Sequence, residues 1–196
     1  MPPSRESHLV ELVDETGQPV GSTTVAAAHQ PPGRLHRAFS VLLVAPDGQV
    51  LLQRRATAKT RFPLRWANSC CGHPQPGETL SEAANRRLHE ELGVAPVPLT
   101  EVGVHVYRAE DPATGRVEVE YDHVLRGEFR PDTQLHPDPS EVAEVRWVDP
   151  MSLAAQLVDD PEAYAPWLGG VLDRLLHPSG PAQLPASDAS ERSGGR

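Results

Sequence analysis

The sequence predicts an α+β fold in which a mixed β-sheet lies between layers of helices, as an α/β/α sandwich. A β-hairpin signal in the first third of the chain precedes one amphipathic helix, and further strands and helices follow. These segments do not alternate with the regular rhythm of a parallel βαβ fold. With 196 residues, of which 38% are hydrophobic, the chain is long enough for one domain with its own core.

Six segments have the apolar pattern of β-strands: residues 8–13, two arms of a hairpin, and residues 102–108, 117–126 and 142–148. The hairpin arms surround Pro46-Asp47-Gly48, which is a turn signal. A loop rich in arginine and proline is expected after them, over residues 56–77. In the segment 117–126, valine and acidic side chains alternate, so that Glu118 and Glu120 share one face of the strand.

A helix is predicted over residues 80–92 from three local signals. Thr79 and Glu82 have the spacing of a capping box, and Gly93 suits the left-handed position after the last turn. The apolar face is formed at four-residue spacing by Leu80, Ala84, Leu88 and Leu92. Two further helices are predicted over residues 151–158 and 161–176. The segment 177–196 is rich in proline, serine and glycine and is predicted to be a disordered tail.

The composition excludes several classes of partner. The net charge is −9, so bulk attraction to nucleic acid or to an anionic membrane is not expected. No apolar run approaches the roughly 18 residues of a membrane span, and the N-terminus lacks an apolar signal core. Two cysteines without an export signal are typical of the reducing cytosol. The sequence therefore predicts a cytoplasmic protein with no nucleic-acid, membrane or obligate protein partner.

Basic residues are concentrated in one window of this acidic chain. The window contains Arg54, Arg55, Lys59, Arg61, Arg65, Arg86 and Arg87. Its only acids are Glu78 and Glu82, and Lys59 is the only lysine of the chain. Such a window indicates a binding site for a small anion, and the alternative is a solvated charged surface.

Residues 68–79 read NSCCGHPQPGET and contain both cysteines. A disulfide between adjacent residues requires a strained ring, because bridged Cα atoms usually lie further apart. A structural zinc site requires four ligands, and the chain has no second cysteine pair. A buried, small apolar residue is the ordinary role of a free cysteine. This role suits one of the two cysteines well. It suits the other less well, because the loop is rich in proline, glycine and polar residues.

Residues 72–94 resemble the Nudix box, G-x5-E-x7-R-E-U-x-E-E-x-G-U with U apolar. Every defined position matches except one, where Arg87 replaces a glutamate. Acidic residues of the box hold Mg²⁺, which binds diphosphate oxygens. The arginine removes one metal ligand and adds a diphosphate donor, which suits an enzyme that holds a diphosphate without cleaving it.

Further segments resemble the type I isopentenyl-diphosphate isomerases of the Nudix superfamily. They include RLHRAFS at 34–40, LQRRA at 52–56, WANSCCGHP at 66–74, YRA at 107–109 and EVE at 118–120. The resemblance implies a Nudix fold over residues 34–172 and an N-terminal extension, residues 1–33, that contributes a strand and a metal ligand. It also implies conversion of isopentenyl diphosphate to dimethylallyl diphosphate by 1,3-allylic proton transfer through a tertiary carbocation, in isoprenoid biosynthesis.

The same resemblance implies a site for one divalent metal, Mg²⁺, Mn²⁺ or Zn²⁺. Its ligands would be His29, His36, His73, Glu118 and Glu120. Imidazole and carboxylate suit such ions, and the two glutamates share a strand face. Each histidine alone would be interpreted as a surface or core residue, and the two glutamates as the solvent face of an amphipathic strand.

Roles in catalysis are implied for residues outside that set. Cys71 corresponds to the catalytic cysteine, with Glu120 as the opposing acid or base and Tyr107 assisting it. Trp167 would stabilise the cation with its ring face; a core aromatic is the alternative. Arg55, Lys59 and Arg87 correspond to diphosphate contacts, and Glu91 to the ligand of a Mg²⁺ ion that bridges to the diphosphate. One departure is Val25, where many members have a phosphate-binding lysine.

The sequence leaves two other functions open. A Nudix pyrophosphohydrolase is disfavoured by Arg87 and by the histidine and glutamate set. A non-catalytic metal-binding or interaction module is disfavoured by Cys71 and Tyr107, which a scaffold would not need.

Overall fold

The structure is a computed structural model and describes residues 5–178. The predicted tail therefore lies outside the described residues, apart from His177 and Pro178. Within the described range the strands are β1 Leu9–Val13, β2 Pro19–Thr24, β3 His36–Val44, β4 Val50–Arg55, β5 Trp66–Ala67, β6 Cys70–Gly72, β7 Leu99–Glu110, β8 Val117–Glu128 and β9 Val142–Val148. The helices are α1 Val25–Ala28, α2 Leu80–Leu92, α3 Pro150–Asp159 and α4 Leu168–Leu176.

β3 is the central strand of the sheet. It pairs in parallel with β8 along its whole length, which sets His36 opposite Glu120. Its other edge is shared by β1 at His36, by β6 over residues 39–41 and by β4 at Val44. Beyond these strands, β7 pairs with β8, and β5 and β9 pair with β4. Residues of β6 and β8 therefore flank the first half of β3.

Helices cover both faces of this sheet. Phe39 and Leu43 of β3 pack in one core cluster with Leu88 of α2. Leu42, which points to the other face, packs in a second cluster with Leu168 of α4. The predicted α+β class and the α/β/α layering are confirmed.

Helix α2 has the bounds and caps that its local signals predict. Thr79 and Glu82 make both hydrogen bonds of a capping box, and Gly93 ends the helix at φ 68°. Its backbone N–H donates to the carbonyl of His89, so the last turn of the helix closes on itself. This helix presents Arg87 and Glu91 toward the sheet, where both side chains are buried.

The structure departs from the prediction at four places. The segment 56–77 is not all loop, because it contains β5 and β6, which are held by distant strands. The two hairpin arms pair with each other at Val44 and Val50, next to the turn. Further from the turn they separate, because β6 pairs with that edge of β3 instead. The helix predicted from residue 161 begins at Leu168, because extended backbone at Tyr164 bridges to β5. The N-terminal region contains a second strand, β2, paired with β1.

Candidate active site

A cavity of about 390 Å³ is lined by β6, β7, β8, α2 and the loop after β4. The sequence-predicted residues that line it are Arg55, Lys59, Cys71, His73, Arg87, Tyr107, Glu118, Glu120 and Trp167. Five of the seven residues of the basic window contribute: Arg55, Lys59, Arg61, Arg86 and Arg87. The window is therefore largely a cavity wall, and a purely solvated surface is the wrong interpretation for these five.

The three histidines reach one point from separate elements. His29 caps α1, His36 opens β3, and His73 follows β6. Glu118 and Glu120 project from the same face of β8. One ligand atom from each of these five residues lies within 4.8 Å of all the others. The group suits a divalent metal, because imidazole nitrogen and carboxylate oxygen are its usual protein ligands.

Hydrogen bonds behind the histidines orient their rings. Nδ1 of His29 lies 2.6 Å from the carbonyl of Val25, and Nδ1 of His36 lies 2.7 Å from that of Arg34. Because a carbonyl only accepts, Nδ1 of each of these two rings carries a proton, and Nε2 of each ring faces the group. Nε2 of His29 lies 2.6 Å from Oε2 of Glu118. Neither atom has a hydrogen bond of standard geometry within the described residues, which fits a site built for a cation.

The charges in the group follow from its burial. Burial lowers the pKa of His73 to about 4, against an opposing hydrogen bond to Glu120, so this imidazole is neutral at pH 7. Burial alone would raise the pKa of Glu120, but hydrogen bonds from His36 and His73 bring it well below its ordinary value. Burial alone would lower the pKa of His36, but the bond to Glu120 raises it.

Glu118 and Glu120 do not form a solvent face. They are 4% and 8% exposed. Val119, which lies between them on the opposite face of the strand, is less buried than either glutamate. Arg61, which sequence reasoning did not single out, donates from Nε to Oε1 of Glu118 at 2.8 Å. That bond leaves Oε2 of Glu118 for the histidine group. Carboxylate ligands of metals are commonly held in this way.

Adjacent cysteines have different surroundings. Cys70 is fully buried in the core cluster under α2, and Cys71 packs against the other cluster and lines the cavity. Both thiols are free. Burial raises the pKa of Cys71 to about 12, and the charge of Asp122 adds to that effect. The thiol is therefore protonated at neutral pH, and a thiol in this form can donate a proton.

Glu120 has two different oxygen environments. Oε1 lies 2.9 Å from Nε2 of His73, and Oε2 accepts a hydrogen bond of 2.7 Å from the hydroxyl of Tyr107. Burial raises the pKa of Tyr107 well above its ordinary value, so the phenol keeps its proton. One oxygen of Glu120 thus serves the histidine group, and the other meets Tyr107 in the wall of the cavity.

Aromatic rings form the wall near Cys71. The ring centroids of Tyr107 and Trp167 are 5.9 Å apart, and Phe62 meets Trp167 edge-on at 5.5 Å. The guanidinium of Arg55 lies 5.5 Å from the centroid of Trp167. Nε of Arg55 also donates to the carbonyls of Arg61 and Phe62, so this residue holds the loop that closes the cavity. Trp167 is 3% exposed and is both a core residue and a cavity residue.

A second charged cluster occupies the end of the cavity next to α2. Glu91 is 1% exposed and pairs with Lys59 and with Arg87. Glu141 pairs with the same two cations, and Gln53 donates to Oε2 of Glu91 at 2.8 Å. Burial opposes ionisation of Glu91, but Lys59 and Arg87 lower its pKa to about 2. Two cations and two carboxylates thus meet at one end of the cavity.

The supporting contacts of several residues were not predicted from the sequence. Asn68, Arg61, Glu141 and Gln53 hold the predicted residues in place, but each contact joins distant parts of the chain. Asn68 belongs to the NSCC segment at residues 68–71, and its place beside the two cysteines is the sequence feature that could have indicated its role. Val25, the departure from the family pattern, lines the cavity as a mostly buried apolar side chain.

Residues 34–168 match the model of the NUDIX domain family. An isopentenyl-diphosphate Delta-isomerase of Nocardia farcinica is 63% identical over 164 residues, which are 84% of this chain and 92% of that protein. One of Streptomyces coelicolor is 48% identical over 168 residues, which are 86% of this chain and 83% of that protein. The chain belongs to the Nudix family, among its isopentenyl-diphosphate Delta-isomerases.

The Nudix fold is also found in the comparison with solved structures. A crystal structure of a Deinococcus radiodurans protein superposes with a TM-score of 0.68 at 24% identity, covering 85% of this chain and 98% of that one. This likeness concerns the fold alone.

In the Nudix box of this chain, Glu78 and Arg86 pair through two bonds of 2.9 Å, which ties the loop after β6 to α2. Among residues 5–178, every helix falls short of the length and apolar character needed to span a membrane.

Proposed function

We propose that this protein isomerises isopentenyl diphosphate to dimethylallyl diphosphate by proton transfer, as a step of isoprenoid biosynthesis in the cytoplasm. The observation that carries the proposal is the 63% identity to an isopentenyl-diphosphate Delta-isomerase over 84% of this chain. The cavity chemistry supports it, because one wall holds a protonated thiol and another a carboxylate. The substrate is a small prenyl diphosphate, and no obligate protein partner is needed.

Cys71 is the acid of this reaction. Its thiol gives a proton to C4 of the substrate, the C3–C4 double bond supplies the electron pair, and a tertiary carbocation forms at C3. An unactivated alkene is a poor base, so the acid must be positioned in a cavity that excludes water. The thiol suits this task, because burial keeps it protonated at neutral pH.

Glu120 is the base. Its carboxylate removes a proton from C2, and the electrons of the C2–H bond form the C2–C3 double bond of the product. Tyr107 donates to Oε2 of Glu120 and orients that carboxylate. Turnover leaves a thiolate at Cys71 and a proton on Glu120, so one proton must return to Cys71 before the next cycle.

Trp167 and Tyr107 stabilise the carbocation. A ring face attracts positive charge without supplying a nucleophile that would trap it. The two rings lie side by side in the cavity wall. Their place next to the acid and the base supports this role.

Lys59, Arg55 and Arg87 hold the diphosphate. All three line the cavity, and Lys59 and Arg87 meet at Glu91. A Mg²⁺ ion held by Glu91 would neutralise further diphosphate charge. This set leaves the diphosphate intact, because Arg87 occupies a position that is glutamate in the Nudix pattern.

His29, His36, His73, Glu118 and Glu120 hold one divalent metal. Mg²⁺, Mn²⁺ and Zn²⁺ are the candidates, and three imidazoles favour the softer of them. Bound there, the ion would supply positive charge that balances the two carboxylates.

An assay with isopentenyl diphosphate tests the proposal. The protein is stripped of metal with a chelator, and formation of dimethylallyl diphosphate is measured before and after each candidate metal is added back. Isomerisation that returns with metal is the expected result. The alternative, a Nudix pyrophosphohydrolase, predicts release of phosphate or AMP from nucleoside diphosphate derivatives under the same conditions. Release of those products without isomerisation would replace the proposal by the alternative.

A further inference from the structure

The side chain of Asn68 joins the proposed acid to the aromatic wall. Its Oδ1 accepts a hydrogen bond from the thiol of Cys71 at 3.1 Å. The same oxygen accepts from Nε1–H of Trp167 at 3.0 Å. Asn68 is fully buried, and both of its partners line the cavity.

The orientation of this amide is fixed from behind. Nδ2 of Asn68 donates to the carbonyl of Cys70 at 2.8 Å and to that of Val41 at 3.2 Å. An amide flipped by 180° would direct its NH₂ group at the indole N–H and its oxygen at two carbonyls, which are all mismatched contacts. The hydrogen bonds therefore determine which atom faces Cys71 and Trp167.

Two of the four contacts of this amide reach the backbone, and the other two reach side chains of the cavity. The bonds from Nδ2 to backbone carbonyls tie the turn between β5 and β6 to β3 and would do so with any residue at 71 or 167. The bonds to Oδ1 are different, because both donors are side chains of the cavity. Trp167 lies 99 residues along the chain from Asn68, so the contact joins distant parts of the chain.

We infer that Asn68 is a positioning residue of the isomerisation, which holds the Cys71 thiol and the Trp167 ring at fixed places relative to one substrate. This inference rests on the proposed function. One shared acceptor sets the rotamer of the acid and the plane of the ring that faces the carbocation. Both groups are then already oriented when the alkene binds. Misplacement of a reacting group by about 1 Å can lower the rate roughly a hundredfold.

Infrared spectroscopy of the thiol tests the inference directly. In a Cys70→Ala background, the only S–H band belongs to Cys71, since the chain has two cysteines. Asn68→Ala should move this band to higher frequency, because the S–H group loses its acceptor at 3.1 Å and the Ser40 hydroxyl, at 3.8 Å, is a more distant partner. Trp167→Phe should move it to lower frequency, because Oδ1 then has one donor fewer and binds the thiol more strongly. A band that stays in place in both variants would overturn the inference.

Kinetics provide the second readout. Asn68→Ala should lower kcat by roughly ten- to a hundredfold while KM changes less than about threefold, because substrate contacts are retained. If Asn68→Ala does not fold, as judged by circular dichroism, the Trp167→Phe band shift decides alone. If the unmodified protein does not isomerise, the proposed function fails; if it does and Asn68→Ala has an unchanged kcat, only the positioning role fails.

Discussion

Cys70 and Cys71 are neighbours in the chain but lie on opposite faces of the sheet. Cys70 is fully buried in the core under α2, and Cys71 lines the cavity, where its thiol donates to Asn68. The alternation of side chains along β6 separates them. The two residues are therefore a natural pair of variant and control, equal in size and adjacent in sequence.

Cys71→Ala should abolish isomerisation, whereas Cys70→Ala should keep it. Only the first change removes the proposed proton donor. The second leaves a small void in the core and should lower the free energy of unfolding by about 1 kcal/mol. Product formation measured by chromatography, together with urea unfolding of both variants, checks the prediction. Similar activity in the two variants would contradict the assignment of Cys71.

His29→Ala should weaken metal binding at the proposed site formed by the histidine and glutamate group. Loss of one ligand leaves Glu118 without its partner at 2.6 Å, so affinity should fall by at least tenfold. Elemental analysis of the purified variant measures the bound metal. His89→Ala is the matched control, because His89 is an exposed histidine on α2. Full occupancy in His29→Ala would argue against a metal site at this group.

Asp111 provides a stability prediction that depends on pH. Its Oδ2 accepts from the Phe62 N–H at 2.9 Å and from the Thr114 hydroxyl at 2.8 Å. Burial alone would raise the pKa of Asp111, but these bonds, with one from Ala113, bring it below the ordinary value of 3.8. A lowered pKa means that the ionised form stabilises the fold above pH 3.8, and that this contribution is lost as the pH falls through the folded pKa.

Asp111→Asn should therefore reduce the free energy of unfolding more at pH 7 than at pH 3. Denaturant unfolding of both proteins at a series of pH values measures this difference. Thr114→Ala is the control, because it removes one neutral donor and should have a smaller effect. A constant difference between Asp111→Asn and the parent across the series would show that ionisation of Asp111 does not stabilise the loop.

Local signals predicted some elements of the fold, and contacts between distant residues decided the others. Helix α2 has its capping box, its apolar face and its C-terminal glycine within 15 residues, so its bounds follow from the sequence. Strands β5 and β6 are two and three residues long and exist because β4 and β3 offer them edges. The same limit applies to Tyr164, whose bridge to Trp66 delays the start of α4.

The residues of the site were predictable to a similar extent: the sequence indicated the main ones, but not the long-range contacts that support them. The resemblance to a family supplied the residues that the cavity brings together. Period-2 alternation placed Glu118 and Glu120 on one face of β8, but alternation alone does not reveal that this face is buried. The contacts of Arg61 with Glu118 and of Asn68 with Trp167 join residues 57 and 99 positions apart. These contacts depend on the completed fold, so no local pattern in the sequence predicts them.

Arg87, the one break in the Nudix pattern, is not a helix-surface charge. It is 6% exposed, and it pairs with Glu90, Glu91 and Glu141. Burial opposes the charged form, but Glu91 raises the pKa of this guanidinium, so it stays positive at any working pH. In the free protein these carboxylates compensate its charge. A bound diphosphate would offer it further acceptors in the same cavity.

Arg87→Ala should lower kcat/KM by roughly ten- to a hundredfold, because a charge-assisted hydrogen bond to a diphosphate is worth about 1.5–3 kcal/mol. The variant should also be less stable, since Glu91 loses one of its two buried cations. Arg87→Lys keeps the charge and should recover part of both losses. Arg54→Ala is the control, because Arg54 is 42% exposed on its side chain and belongs to the same basic window. Steady-state kinetics and thermal unfolding separate the two effects: if Arg87→Ala is destabilised but turns over substrate like the control, the arginine serves the fold alone and the diphosphate is held by Lys59 and Arg55.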